Sequence, residues 1–207
     1  MLTLYHAPNS RSTRIITLLM ALDVMDQVEI RLTDIPRRDG SGGRDPNNPH
    51  PEGKVPFLVT EDGETLRESN AIMLYLCDRF PSDIAPTVGA PGRATMLSMM
   101  AWYGNVLEPV FVLNAVGINH PALASTFRGL PEALTALAAD LEGRDYLLGA
   151  TYSVADLLLA SAFLWLPEAV PDVPVIKDWV ARCGAQPVIA QTAEYEVKAQ
   201  KTLADRA

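Results

Sequence analysis

The sequence predicts two domains of different class: a small α/β domain over residues 1–80, a linker at 81–92 and an all-helical domain over 93–207. Strand-like alternation is confined to the stretch before Arg67. Pro81, Pro86, Gly89, Pro91 and Gly92 then punctuate the chain, and only helical periodicity follows.

Leu2–His6 is a short β-rich run. Pro8-Asn9-Ser10 breaks it, and Ile15, Ile16, Leu18, Leu19 and Leu22 recur at helical spacing. Gln27–Leu32 alternates Val28, Ile30 and Leu32 with Glu29 and Arg31, the period of a half-buried strand. Residues 33–53 are rich in Gly, Pro, Asn and Arg, which predicts a mobile loop with at most one short helix. Val55–Thr60 and Glu64–Arg67 flank Asp62-Gly63, a hairpin signal because glycine supplies the positive φ of the turn. Ser69 then caps a helix carrying Ile72, Met73, Leu76 and Cys77, so the first domain reads β-α-β-loop-β-β-α. Beyond the linker a long apolar helix over 91–117 should bend at Pro109, with further helices near 130–142, 154–166, 175–183 and 187–203.

With 207 residues, 48% of them hydrophobic and 20% charged, the composition is that of a packed globular protein. A net charge of −8 argues against nucleic acid and anionic lipid as partners, since both need clustered Lys and Arg. No basic segment followed by a long apolar stretch opens the chain, and no apolar run reaches about 18 residues, so a cytoplasmic protein without membrane association is expected. Cys77 and Cys183 fit no metal spacing and read as buried thiols in a reducing compartment; no metal is expected.

Hydrolase and metalloprotease motifs are missing from this sequence. The chemistry-bearing features lie instead at helix starts. Ser10 and Ser12 open the first helix, where unpaired backbone N–H groups and the macrodipole favour an anion, although a serine there also serves as a plain cap. Glu68-Ser69 opens the next and suits a zwitterionic head group, the carboxylate on Ser69 and the ammonium on Glu68. Val55-Pro56 opens a strand with a proline, which admits a cis bond while trans is the default. Ser153 and Asp156 have the spacing of a capping box, with Tyr152 placed to pack on Leu157, and read as structural. His6, at a strand end, reads as structural as well.

These residues together, Leu4-Tyr5-His6-Ala7-Pro8-Asn9-Ser10-Arg11-Ser12-Thr13-Arg14, Gly53-Lys54-Val55-Pro56-Phe57-Leu58, Leu66-Arg67-Glu68-Ser69-Asn70-Ala71-Ile72 and Tyr152-Ser153-Val154-Ala155-Asp156, span nearly the whole chain. In this set the chain resembles the cytosolic glutathione S-transferase superfamily, in its bacterial-type, serine-using form. The resemblance implies a thioredoxin-like first domain of order β-α-β-α-β-β-α that binds glutathione as co-substrate, and a helical bundle that contributes the electrophile pocket. It implies a cis Val55-Pro56 bond, with the Val55 backbone on the cysteinyl part of glutathione, Glu68 and Ser69 on its γ-glutamyl end and Lys54 on its glycyl carboxylate.

The thiol donor it implies is Ser10, four residues before Arg14; Ser12 is the nearest alternative and Tyr5 a more distant one. No cysteine stands at this helix start, so conjugation to a small hydrophobic electrophile is expected before mixed-disulfide chemistry. Alternatives are a glutathione-dependent peroxidase or disulfide reductase, and a non-catalytic ligand-binding protein of the same fold. Tyr103, with Trp102 and Phe111, is the expected pocket lining, and Arg37, Arg38 and Arg44 are candidates for a basic rim. A homodimer with a role in detoxification completes the expectation.

Overall fold

Strand β1 (Leu2–His6) is the centre of the first sheet. After a loop and helix α1 (Thr13–Ala21) the chain returns as β2 (Val28–Leu32), parallel to β1, with Leu2 opposite Val28 and His6 opposite Leu32. The hairpin β3 (Phe57–Val59) and β4 (Thr65–Leu66) adds antiparallel on the other side, giving the order β2-β1-β3-β4, and helix α2 (Ser69–Arg79) follows. Because Tyr5 faces Phe57 and Leu58 faces Leu66, the end of β1, the start of β3 and the end of β4 all emerge at one end of the sheet. Leu2 and Leu4 on the sheet, Ile15, Leu18 and Leu19 on α1 and Ile72, Met73 and Leu76 on α2 form the buried core, in a computed structural model that describes residues 1–205.

The second helix of the thioredoxin-like order is not formed: residues 33–56 contain turns and no helix. Short acidic and amide side chains satisfy the backbone locally there, the Asp34 carboxylate accepting from Ile35 and Gly43, Asp39 from Ser41, Asp45 from Asn47 and Asn48 from His50. Such turns compete directly with a helical ladder. Gly42 sits at φ +70, where a Cβ would run into the Ile35 carbonyl, so the fold of this loop requires glycine.

The second unit, Asp83–Ala185, contains α3 (Arg93–Trp102), α4 (Glu108–Ala115), α5 (Pro121–Phe127), α6 (Leu130–Leu141), α7 (Val154–Trp165) and α8 (Pro174–Gly184). Between α3 and α4 the bend expected at Pro109 takes the form of a π-helical turn over Tyr103–Leu107. A proline has no N–H to return to the carbonyl four residues earlier, which frees the preceding turn to widen. The continuous run Arg93–Ala115 is long and apolar enough by composition to cross a bilayer, which the reading of contiguous apolar residues missed. Met96, Met100, Leu107 and Val110 on that run are buried in the helical core, as is Trp179 of α8.

The last helix, α9 (Pro187–Ala204), departs from the expected domain 93–207: residues from Gln186 onward belong to the first unit with Met1–Ser82. The reason is its buried face. Thr192, Glu196 and Ala199 are covered, and the Thr192 hydroxyl lies 3.1 Å from that of Thr17 on α1.

Candidate functional site

Three loops leave the same end of the sheet: Ala7–Ser12 after β1, Lys54–Pro56 before β3 and Arg67–Ser69 after β4. The sheet register therefore places the segments that carry Ser10, Val55-Pro56 and Glu68-Ser69 at one end of the sheet, although these residues are up to 59 residues apart in the chain (10 to 69).

Ser10 is half-buried, and its hydroxyl lies 2.7 Å from the Ala7 carbonyl and 2.8 Å from the Ser12 hydroxyl. It also accepts the Ser12 backbone N–H at 3.1 Å. Ser12, the alternative donor, is fully buried and turned inward, its hydroxyl 2.7 Å from His6 Nδ1 while accepting the Ala7 N–H at 3.2 Å. It has no surface with which to meet a ligand. Tyr5 belongs to the sheet: its hydroxyl accepts from Arg31 Nη1 at 3.1 Å and its ring stands edge-on to Phe57.

The expectation of open backbone donors at this helix start is corrected. The Ser10 N–H goes to Thr13 Oγ1, the Thr13 N–H to the Ser10 carbonyl, and the Asn9 N–H to Glu196 Oε2 at 2.6 Å. The negative group that the macrodipole favours is thus a carboxylate of the protein's own, delivered by α9. Arg37, expected at a solvated rim, instead clamps this loop, donating to the Pro8 carbonyl at 2.9 Å and the Asn9 carbonyl at 3.4 Å.

Glu196 and His6 were not foreseen as site residues. His6 is fully buried, its Nε2 lies 3.4 Å from Glu196 Oε1, and burial pulls its pKa down to about 4. Burial pushes the Glu196 carboxyl up, against the Asn9 N–H, the Thr13 hydroxyl and Arg37, which favour its charged form.

The Val55-Pro56 bond is cis. Asn48 donates to the Lys54 carbonyl and the His50 ring accepts the Glu52 N–H, so the loop before it is tied from both sides. Lys54 is exposed and paired with Glu52, which also lies 3.9 Å from Arg67. Glu68 is exposed and sits at φ 69, in the left-handed region that a non-glycine residue avoids, and Ser69 opens α2 almost fully buried. Arg44 donates to the Pro51 carbonyl, and Arg38 is exposed.

In the helical unit, Ser153 and Asp156 form the capping box of α7. Asp156 further accepts from the Leu147 N–H and the Trp179 indole, both at 2.8 Å. Tyr152 has Tyr146 as its ring neighbour. Tyr103, expected at a wet pocket, is fully buried, because the π-helical turn faces it inward; Phe111 stacks edge-on against Phe163 in the same core. Trp102 keeps partial exposure. Among the described residues no group of three or more His, Cys, Asp or Glu is placed to hold a metal ion.

The sequence matches the glutathione S-transferase N-terminal domain over residues 4–87 and the glutathione S-transferase C-terminal domain over residues 102–187. A solved glutathione transferase from Methylococcus capsulatus is 26% identical, with TM-score 0.76 over 95% of this chain and 98% of that one. A sphingomonad glutathione S-transferase complexed with glutathione is 28% identical, with TM-score 0.73 over 94% of this chain and 98% of that one. Elongation factor 1-gamma of Artemia salina is 31% identical over 63% of this chain, which spans only 31% of that relative's length. Both domain matches in chain order, together with a shared fold over nearly the full length of solved transferases, place this chain in the glutathione S-transferase superfamily.

Proposed function

We propose that the protein is a glutathione transferase in which Ser10 holds the glutathione sulfur as a thiolate for attack on a small apolar electrophile. The observation that carries this reading is the position of the Ser10 hydroxyl. It is the one of the two serine hydroxyls at this helix start that reaches the surface, at the sheet end where Val55-Pro56 and Glu68-Ser69 also emerge.

A free thiol has a pKa near 8.5 and is only a few per cent ionised at neutral pH, so a donor to the thiolate supplies reactivity directly. Ser69 and the start of α2 would take the γ-glutamyl carboxylate, Glu68 its ammonium and the Val55 backbone the cysteinyl amide. Lys54 would exchange its exposed Glu52 partner for the glycyl carboxylate at little cost. With Tyr103 and Phe111 buried, Trp102 is the remaining candidate for contact with the electrophile. Assembly as a cytoplasmic homodimer acting in detoxification is part of the same proposal.

A glutathione-binding protein without turnover is the second reading. The engaged amides at the start of α1 favour it, since they leave less to stabilise a sulfur anion. Conjugation of a chloronitroaromatic acceptor and reduction of an organic hydroperoxide, assayed beside calorimetric titration with glutathione, separate the readings. Ser10→Ala is expected to lower kcat/KM for conjugation about a hundredfold while glutathione Kd moves less than about threefold. Unchanged turnover in Ser10→Ala would refute the assigned role.

A further inference from the structure

A buried chain of donors and acceptors runs from α9 to the surface at Ser10. Glu196 Oε1 lies 3.4 Å from His6 Nε2, His6 Nδ1 lies 2.7 Å from Ser12 Oγ, and Ser12 Oγ lies 2.8 Å from Ser10 Oγ. His6 and Ser12 are fully buried and Glu196 is 4% exposed, so only Ser10 can meet a ligand. Glu196 Oε2 is committed to the Asn9 N–H, and among the described residues His6 Nε2 and Glu196 Oε1 have no hydrogen-bond partner beyond facing one another. A pair so placed is either a defect or a part of the mechanism.

Each hydroxyl in this chain carries one proton, so the direction of one sets the direction of the next. With the His6 proton on Nε2, toward Glu196, Nδ1 accepts from Ser12. The Ser10 proton then lies between two acceptors, Ser12 Oγ at 2.8 Å and the Ala7 carbonyl at 2.7 Å, and Ser10 offers outward only the lone pair not taken by the Ser12 N–H.

We propose that Ser12, His6 and Glu196 are positioning residues that draw off the glutathione thiol proton through Ser10 and, in the same event, turn the Ser10 hydroxyl toward sulfur. The inference rests on the Ser10 reading above. In the step the S–H bond breaks and its electron pair stays on sulfur. That proton forms a new O–H bond on Ser10, the former Ser10 proton passes to Ser12, and the former Ser12 proton passes to His6 Nδ1. The products are a thiolate facing an O–H donor and an imidazolium facing Glu196. No heavy atom needs to travel, and no further reactant is consumed.

The charges around His6 decide whether the step is accessible. From α9 it faces Glu196 and the Tyr195 ring, whose centroid is 6.1 Å away. Arg37, from the loop after β2, holds the Pro8 and Asn9 carbonyls, and Arg14 on α1 is buried as well. Burial opposes a second proton on His6, which keeps it neutral in the free protein. The Glu196 carboxylate and the new thiolate offset that opposition only when glutathione is bound.

The test uses the intact protein labelled with ¹⁵N-histidine, which contains only three histidines. Glutathione at saturation and neutral pH is expected to shift His6 Nδ1 from the unprotonated to the protonated position, leaving His50 and His120 in place. S-methylglutathione, which has no thiol proton, must leave His6 unchanged. In parallel, the ultraviolet thiolate band gives the pKa of the bound thiol. Ser12→Ala should raise it by about one unit or more, roughly a tenfold loss of thiolate at neutral pH, and Ser12→Thr should restore it.

An unprotonated His6 Nδ1 in wild type beside a clear thiolate band overturns the proposal, as does a wild-type thiol pKa in Ser12→Ala. The labelled wild-type measurement decides the matter if Ser12→Ala does not fold. Calorimetry showing no glutathione binding overturns the Ser10 reading itself, and bound glutathione that keeps the wild-type thiol pKa in Ser10→Ala does the same, so the two failures are distinguishable.

Discussion

Helices α1 and α7 both begin at a serine beside a buried carboxylate, and they use that carboxylate in opposite ways. At α7 the acid is local, three residues after the serine, and accepts from the Ser153 N–H and hydroxyl, the Leu147 N–H and the Trp179 indole. At α1 the acid comes from α9, 187 positions from the amide it holds, and one of its oxygens faces a histidine at 3.4 Å. A network with every donor matched fixes a fold. One with a slack contact and a half-exposed hydroxyl at its end retains protons that can move.

The sharpest way to break the comparison is to remove each carboxylate. Asp156→Ala orphans the buried Leu147 and Trp179 donors and the α7 cap, and is expected to cost about 4 kcal/mol, read from denaturant unfolding. Glutathione affinity of the folded fraction should not change.

A smaller effect, up to about 3 kcal/mol, is expected from acid at the other helix. His6 takes up a proton near pH 6.5 when unfolded and only near 4 when folded, so between those values the unfolded state binds more protons. Its contribution is fully present above 6.5 and is lost as pH falls toward 4; His6→Gln should flatten that part of the stability profile. The smallest effect belongs to Lys54→Ala. The side chain is 70% exposed and already paired, so glutathione Kd should rise by about threefold to fivefold, and by less at high salt.

The elements that sequence made legible are those with local causes. β1, α1, β2 and α2 follow from apolar period and from the break at Pro8 and Asn9, and the α7 capping box from spacing alone; Ser69, expected as the cap of α2, is instead its first residue, and Glu68 holds the cap position without a side-chain bond. Helix α5 was missed because its seven residues are too few to show a period, with only Leu123 and Phe127 sharing an apolar side and none buried; the His120 ring caps it by accepting the Ala122 N–H. The loop that carries Ser10 was legible from Pro8 and Asn9 before α1. The residue packed against it was not, because a lone Glu196 on the polar-looking stretch of α9 carries no mark of the strand end it meets. Tyr103 shows the converse, since the hydroxyl suggested water while the π-helical turn decided which way the ring faces.

The membership of α9 in the first unit bears on how the protein is made. Residues 1–82 leave the ribosome early, yet the carboxylate that seats the Ser10 loop arrives only with residue 196. In a nascent chain the loop that carries Ser10 therefore lacks its carboxylate partner until α9 has been made, however early the sheet residues emerge.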